Sequence, residues 1–443
     1  MSKINASPTK EFFVNVIGRD LSLYDAAKDL VDNCVDGARR LRPDGNFEGL
    51  SVEIALNAEH FVIVDNCGGI PVSIARDHAF RFGRTAGAPA VEGSIGQFGV
   101  GMKRALFMMG DVFEINSVAP DSHFKLRVDV NEWMELVDEN GKEIWEFEFT
   151  EEGEGENNAP EACGTTLTVT QLHAGVAADF ASQGFRTRLI LGLQEAHAAS
   201  MERGLEIELN DFLLQHQMPT LLASSLLIPM KVEQVFRANP DEGVPAPVTM
   251  TLWAGISDSS LNDAGWYLAC NGRQIVRADK SALTGWATVL DEIRTPQAHN
   301  QFSRFRGYVH FESDNATGLP WNTSKSGVDT ESLVYQWARR EMVAALRQVI
   351  DFLNAVAAEQ ETESVYLRNV MRDAVPARLA SIRPSVEFVF PVAPPADDKP
   401  KTIKVQFDRS IEDVDFVRAH FEVNSAGRAG QAVFDYFLER ERA

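Results

Sequence analysis

The sequence predicts an α+β fold in which helices cover one face of a mostly antiparallel sheet, followed by a smaller β-rich unit with a long helix. Three observations predict this fold class. A capping box at Ser22–Asp25 opens an amphipathic helix over 23–40. Alternating apolar segments within 111–170 are typical of strands. A second group of strands ends before a helix expected over 331–360, and 443 residues are enough for two or three domains.

The remaining elements follow from turn residues and periodicity. In chain order, we expect a turn at 43–45, a hairpin of strands at 51–56 and 61–64, mixed helix and glycine-rich loop over 71–110, strands VFEIN, FKLRVDV, IWEFEFT and TTLTVT within 111–170, and helix over 176–203. The acidic tract EEGEGENNAPEACG, at 151–164, is expected to be an exposed loop.

The second unit begins near Pro219. Its expected elements are strands at 230–237, 247–255, 265–270 and 306–312, a loop at 318–328 and the long helix. Scattered prolines predict a linker over 361–400. A strand at 402–407 and helices at 411–421 and 428–441 are expected to close the chain. The domain boundaries that follow are 1–215, 216–360, 361–400 and 401–443.

The composition narrows the class of protein. A net charge of −22 excludes global attraction to nucleic acid or anionic lipid, so any DNA contact would need a local basic patch. No apolar run reaches the roughly 20 residues of a membrane span, and the first residues lack a secretory signal. The four cysteines are scattered, which argues against zinc or disulfides and predicts a cytoplasmic protein.

Three motifs suggest a phosphate-bearing ligand. Gly96–Gly101 has the order Gly-x-x-Gly-x-Gly at a helix start, where backbone N–H groups can close on phosphate, although such loops also serve as plain turns. Asp29, Asn33 and Asp36 share one face of the first helix, which could equally be a solvated polar stripe. Asp65 ends a strand before two glycines and could accept a hydrogen bond from a ligand amine.

These motifs resemble the boxes of the GHKL ATPases: gyrase B, the ninety-kilodalton heat-shock chaperones, sensor histidine kinases, MutL and the microrchidia (MORC) proteins. The matching stretches are Asp29–Ala38, Asp65–Ile70, Ile95–Gly101 and Gly164–Thr165. The resemblance implies a Bergerat-type α/β sandwich that binds ATP and Mg²⁺ and hydrolyses ATP.

The resemblance also implies a role for individual residues. Asn33 would ligate Mg²⁺, Asp65 would accept the adenine amine, and Thr165 would support Asp65 through water. Arg84-Thr85 would belong to a mobile lid. The expected ATP-binding residues are Asn33, Asp36, Asp65, Gly69, Ile70, Gly96, Gln97, Phe98, Gly99, Val100, Gly101, Lys103 and Thr165.

Two residues depart from the family pattern. Asp29 stands where hydrolysing members place the glutamate that activates water, and its shorter side chain predicts slow turnover. Cys67 stands where the second box has its first glycine. A thiol fits there only if the backbone φ is negative.

The second unit resembles the transducer domain of the chaperone, MutL and gyrase branch. Leu319–Lys325 is similar to the loop that delivers a catalytic cation to the γ-phosphate, so Lys325 would be that cation, although it could be an ordinary exposed lysine. Trp266–Arg273 is similar to the Asn-Gly-Arg strand-turn of that domain. Histidine kinases lack such a domain.

We therefore expect a slowly hydrolysing, ATP-gated clamp that forms an ATP-promoted homodimer and acts in DNA transactions, defence or protein remodelling, MORC-like or chaperone-like, without a membrane. The alternatives are a nucleotide-dependent switch with little hydrolysis and a histidine-kinase-like phosphotransferase. The unit at 401–443 fits dimerisation, docking or a ribbon-helix-helix DNA reader. DNA contact there or through the arginines at 368, 372, 378 and 383, and a protein client, are left open.

Overall fold

The computed structural model describes residues 4, 8–15, 21–83, 93–96, 99–359, 365–392 and 405–442. They fall into two compact units, Met1–Ala393 and Pro394–Ala443. The described helices are α1 (Lys10–Asn15), α2 (Leu23–Leu41), α3 (Val72–Ile74), α4 (Gly101–Met109), α5 (Val130–Glu135), α6 (Ala174–Ala181), α7 (Gln183–Ala196), α8 (Ala198–Glu202), α9 (Leu333–Ala358), α10 (Tyr366–Asp373), α11 (Ile411–His420) and α12 (Ala426–Arg442).

The strands of the described residues all lie in the first unit. They are β1 (Ser51–Leu56), β2 (His60–Asp65), β3 (Gly110–Ala119), β4 (Ser122–Asp129), β5 (Phe149–Glu154), β6 (Gly164–Leu172), β7 (Glu206–Leu209), β8 (Phe212–Leu213), β9 (Thr220–Ala223), β10 (Met230–Phe236), β11 (Val248–Ile256), β12 (Gly265–Cys270), β13 (Arg273–Asp279), β14 (Val289–Leu290), β15 (Ile293–Arg294), β16 (Phe305–Glu312) and β17 (Val375–Arg378).

The larger sheet has the strand order β5-β4-β3-β6-β2-β1-β7-β8. Only the β1–β7 pair is parallel, and the other pairs described are antiparallel. Helix α2 packs against α4 and α7, and its apolar residues Leu30, Val31 and Val35 join one core with the sheet residues Phe61 and Ile63. The α+β class with helices on a mostly antiparallel sheet is therefore confirmed.

Helix α2 begins where its capping box predicts. The Ser22 hydroxyl accepts the Asp25 N–H at 3.1 Å and donates to the Asp25 carboxylate at 2.7 Å. Both bonds satisfy groups at the helix start that have no partner within the helix. The start of the helix, and therefore the direction in which its acidic residues point, is set by local sequence.

The smaller sheet has the order β10-β11-β16-β12-β13, with β12 and β16 parallel. Helix α9 packs on β11 and β16 through buried residues at helical spacing, among them Met342, Leu346 and Val349. It begins at Leu333 and not Glu331, because the Ser332 hydroxyl caps it. The loop between β16 and α9 is thereby held between two rigid elements.

Some sequence expectations are wrong in detail. Strand β5 starts at Phe149 and takes in part of the acidic tract, because its glutamates pair with basic neighbours: Glu151 with Lys125 at 2.6 Å and Glu152 with Arg76 at 2.8 Å. The helical stretch at 176–203 is three helices, broken where Ser182 caps α7 and again at His197.

Most of the expected linker at 361–400 is folded. Residues 365–392 contain α10 and β17, which pairs with β9, and they bury Leu367, Val370 and Phe388. Pro376 lies within β17, and it is tolerated there because β17 is in a two-stranded pair that leaves one edge free. Residues 360–364 and 393–400 lie outside the described part of the chain.

The compact unit Pro394–Ala443 contains α11 and α12, which are close to the two helices predicted there. Of the strand predicted at 402–407, residues 405–407 have no regular structure and the preceding three lie outside the described residues. No helix among the described residues is both long and apolar enough to cross a membrane.

Candidate functional site

Helix α2 supplies the acidic side chains of the site. Asp29 and Asp32 are buried, with 3% and 0% of their side chains exposed. Asn33, the next residue, is exposed and opens onto a cavity. Because a helix turns by about 100° per residue, Asn33 points about 100° away from Asp32, toward the cavity, and Asp29 lies between these two directions.

The loop after β16 brings Lys325 to these carboxylates. Its Nζ lies 2.8 Å from Asp32 Oδ2 and 3.3 Å from Asp29 Oδ1, although Lys325 and Asp29 are 296 positions apart. The Asn322 carbonyl oxygens, from backbone and side chain, accept hydrogen bonds within the loop and close it. Lys325 has φ +51°, a left-handed conformation that its surroundings must hold in place.

Asp32 binds a second cation from the smaller sheet. Arg273 Nε donates to Asp32 Oδ1 at 2.9 Å, and His197 Nε2 lies 3.7 Å from the same oxygen. Burial alone would raise the pKa of Asp32, but Arg273 and Lys325 hold it below its usual value. Burial raises the pKa of Asp29, with Lys325 opposing the rise. Burial lowers the pKa of His197 to about 3, so its ring is neutral near pH 7.

Asp36 holds the loop that precedes α4. Its carboxylate accepts the backbone N–H groups of Ile95 at 2.7 Å and Gly96 at 2.6 Å. A Cβ on Gly96 would lie 2.9 Å from Asp36 Oδ2, and one on Gly101 would lie 3.1 Å from Asp29 Oδ2. Glycine at both positions therefore lets the loop and the start of α4 approach the acidic face of α2.

The β12–β13 turn is bonded to the same region. Arg39 of α2 donates to the carbonyl oxygen of Gly93 and, at 2.5 Å, to that of Asn271. The Asn271 amide in turn donates to the Ser94 carbonyl oxygen at 3.0 Å. The smaller sheet is thus fastened both to α2 and to the loop before α4.

A cavity of about 50 Å³ lies on the other side of α2, at the end of β2. Asp65 Oδ1 accepts the Cys67 N–H at 2.8 Å, and burial raises the pKa of Asp65. The hydroxyls of Thr165 and Ser117 are 3.0 Å apart. The lining residues are Leu30, Asn33, Cys34, Gly37, Arg40, Ile63, Asp65, Cys67, Gly69, Ile70, Met102, Thr165 and Leu167. A carboxylate beside hydroxyls in an apolar cleft can bind an amine and a ring nitrogen.

Cys67 fits its place in the second motif. The following Gly68 and Gly69 have φ of +88° and +66°, whereas Cys67 does not take a positive φ. Gly69 could not be replaced as easily, because a Cβ there would lie 2.0 Å from the Val118 carbonyl oxygen. The condition for a thiol at this position is met.

These motifs have a counterpart among known families. Residues 21–165 match the family model described as Histidine kinase-, DNA gyrase B-, and HSP90-like ATPase. The match supports the GHKL superfamily and ATP binding by this segment. No curated protein matches the chain.

Most of the predicted residues in the GHKL-type segment lie in two places. Asn33, Asp65, Gly69, Ile70 and Thr165 line the cavity. Asp29, Asp36, Gly96 and Gly101 lie where α2 meets the loop and α4, with Gly99 and Val100 leading into α4. Gln97, Phe98 and the predicted lid residues Arg84-Thr85 lie outside the described residues.

Lys103 does not point toward the carboxylates. It is buried, and its Nζ donates to the Ala79 carbonyl oxygen at 2.8 Å and lies 5.9 Å from the Phe82 ring centre. Burial lowers its pKa to about 7. The neighbouring Arg104 takes the place near Asp29 instead, with Nη2 3.6 Å from Asp29 Oδ2.

Sequence reasoning missed Asp32, Arg104, Arg273 and Ser117. The sequence did indicate Asp32, because it lies about one helical turn after Asp29. Arg273 was recognised as part of the Trp266–Arg273 strand-turn, but no role was assigned to it. Ser117 is one polar residue on an alternating strand and carries no signal. Within the described ranges no group of three or more His, Cys, Asp or Glu could hold a metal ion.

Proposed function

We propose that this protein is a slow, Mg²⁺-dependent GHKL ATPase that works as an ATP-gated dimeric clamp. One observation carries the proposal: Lys325, from the loop between β16 and α9, contacts the carboxylates of α2 in the GHKL-type segment. In this proposal residues 1–215 bind the nucleotide and residues 216–360 act as a transducer. The composite site favours the chaperone, MutL and MORC branch over the histidine kinases.

The side chains that line the cavity suit the base and the metal, and the cavity of about 50 Å³ must widen to admit an adenine ring. Asp65 would accept the adenine amine, with Thr165 and its partner Ser117 supplying hydroxyls beside it. The exposed amide oxygen of Asn33 suits a hard cation. Because the described residues offer no protein cage for a metal, Mg²⁺ would also need phosphate oxygens. Bound there, Mg²⁺ would neutralise phosphate charge.

Asp29 would hold the attacking water and take its proton at a carboxylate oxygen. Aspartate is one methylene shorter than glutamate, so the water would lie about 1 Å from its best position, which can cost about 100-fold in rate. Lys325 bonds Asp29 Oδ1 in this structure, so the water would lie at Oδ2 or Lys325 would first move away. Lys325 would then stabilise negative charge developing on the phosphate.

Phosphate release from ATP tests these roles. The wild type is expected to turn over well below about 10 per second, Asp29→Glu to be faster, and Asp29→Asn and Lys325→Gln to lose about 100-fold or more. Lys142→Gln, at an exposed lysine, is the control. A fast wild type, or an Asp29→Asn variant that matches it, would contradict the assignment.

Dimerisation is tested separately by light scattering. We expect the mass to double when a non-hydrolysable ATP analogue and Mg²⁺ are added, and an unchanged mass would count against a clamp. Helices α11 and α12 expose Phe416, Phe434 and Phe437, which supports a dimerisation or docking role for the unit Pro394–Ala443. Pull-down with the analogue-bound protein, with and without nuclease, distinguishes a DNA partner from a protein client.

A second candidate is a nucleotide-dependent switch that hydrolyses ATP too slowly to matter. The observation that favours it is the hydrogen bond between Asp29 and Lys325, which occupies the proposed base. If wild type, Asp29→Glu and Asp29→Asn all bind the nucleotide and none turns it over, the switch is the better description.

A further inference from the structure

Arg104, in the first turn of α4, has buried hydrogen-bond donors without acceptors. Only 9% of its side chain is exposed, and within the described residues no acceptor bonds its Nε or Nη2. The nearest charge is Asp29, whose Oδ2 lies 3.6 Å from Nη2, beyond hydrogen-bond length. A buried donor without a partner is costly and requires an explanation, such as a role in binding a ligand.

Arg104 shares its nearest carboxylate with another cation. Three cations, Lys325, Arg273 and Arg104, surround the two carboxylates Asp29 and Asp32. The neighbouring His197 adds no negative charge. Asp29 therefore faces both Lys325 and Arg104, and it offers Arg104 an ion pair at 3.6 Å but no hydrogen bond to Nε or Nη2. An anion bound beside Arg104 would accept hydrogen bonds from these donors.

The position of Arg104 is suited to such an anion. Helix α4 starts at Gly101, so the free N–H groups of its first turn lie beside the arginine. The guanidinium is a planar fork that can donate two parallel hydrogen bonds to a phosphate. Lys103 cannot serve, because its ammonium is bonded to Ala79 on the other side of the helix.

We propose that Arg104 binds the terminal phosphate of a nucleoside triphosphate and makes the site prefer triphosphate over diphosphate. The proposal rests on the proposed function, since it assumes that the nucleotide's phosphates lie at the start of α4. The phosphate would accept hydrogen bonds from Nε and Nη2, which no group among the described residues accepts.

Calorimetric titration with ADP and with a non-hydrolysable ATP analogue, each with Mg²⁺, tests this role. Arg104→Gln is expected to bind the analogue about 10- to 100-fold more weakly than wild type and to bind ADP within about threefold of it. Arg104→Lys keeps the charge but loses the fork, and should lie between the two. The matched control is Arg347→Gln, at an exposed ion pair on α9, which should bind both nucleotides as wild type does.

The outcomes separate this proposal from the proposed function. If wild type binds neither nucleotide, both fail. If wild type binds both, and Arg104→Gln binds the analogue normally or loses both ligands equally, only the role of Arg104 is overturned. Thermal unfolding checks that the variants fold. Should Arg104→Gln not fold, Arg104→Lys decides: it must weaken analogue binding at least about threefold more than ADP binding, and an equal effect on both refutes the proposal.

Discussion

Replacing Asp32 with asparagine tests the buried charge cluster directly. Each oxygen of Asp32 accepts from a different cation: Oδ1 from Arg273 at 2.9 Å and Oδ2 from Lys325 at 2.8 Å. Asparagine has one acceptor oxygen and one NH₂ group. In either orientation it presents a donor to a cation that is itself a donor, and it removes the charge that both cations need.

The cost follows from burial. Asp32 is completely buried and Arg273 and Lys325 are nearly so, with side chains 3% and 8% exposed. Removing one partner of a buried ion pair costs about 3–5 kcal/mol, because the remaining charge stays buried. Here Arg273 loses its carboxylate partner and Lys325 keeps only Asp29, at 3.3 Å, so the free energy of unfolding should fall by about 4 kcal/mol.

Urea unfolding of wild type and Asp32→Asn, followed by tryptophan fluorescence, measures this loss. The matched control is Asp351→Asn, which breaks an ion pair to Arg347 with nearly half of each side chain exposed. The control should change the free energy of unfolding by about 0.5 kcal/mol or less. Equal effects of the two substitutions, or a loss below about 1 kcal/mol for Asp32→Asn, would refute the reasoning.

Two further predictions concern single residues. Gly69→Ala should lower the free energy of unfolding by about 3–5 kcal/mol, because at φ +66° its Cβ would lie 2.0 Å from the Val118 carbonyl oxygen. The control Gly141→Ala, at φ +75° in open space, should lower it by about 1 kcal/mol. Equal shifts of the two variants in thermal unfolding would contradict this difference. His197 has its pKa lowered from 6.5 to about 3, so the unfolded state takes up a proton first and stability is lost as pH falls below about 6.5. From pH 7 to pH 5 the wild type should lose about 2 kcal/mol more than His197→Gln, and parallel pH profiles of the two proteins would contradict a buried neutral ring.

Local signals predicted the elements that position the site. The capping box set the start of α2, and alternation predicted β11, β12 and β16 to within a residue or so. The errors arose where tertiary contacts outweigh composition. The glutamates of β5 predict a loop from composition alone, because their ion pairs to basic residues of neighbouring elements are not visible in the sequence. The prolines near β17 predict a linker, because the pairing of β17 with β9 is not visible either.

The site was predicted in its parts but not in its connections. Asp29 and Lys325 each lie in a recognisable motif, so a role for each could be proposed from the sequence separately. Their contact could not be measured from sequence, and neither could the bond of Asp32 to Arg273, which spans 241 positions. Lys103 and Arg104 are adjacent, and only the direction of each side chain shows which one lies near Asp29.

The contacts at α2 link the two sheets through packed hydrogen bonds. Lys325 and Arg273 come from the smaller sheet and its following loop, and both end on Asp32. Asn271, from the turn next to Arg273, bonds both Arg39 of α2 and the loop before α4. If a ligand draws Lys325 away from the carboxylates, Asp32 loses one of its two cations. Arg273 is then the cation that still bonds Asp32. A shift of the loop before α4 likewise breaks or moves the bonds of Asn271. Either movement therefore alters hydrogen bonds of about 3 Å that residues of the smaller sheet make directly with α2 or with the loop before α4.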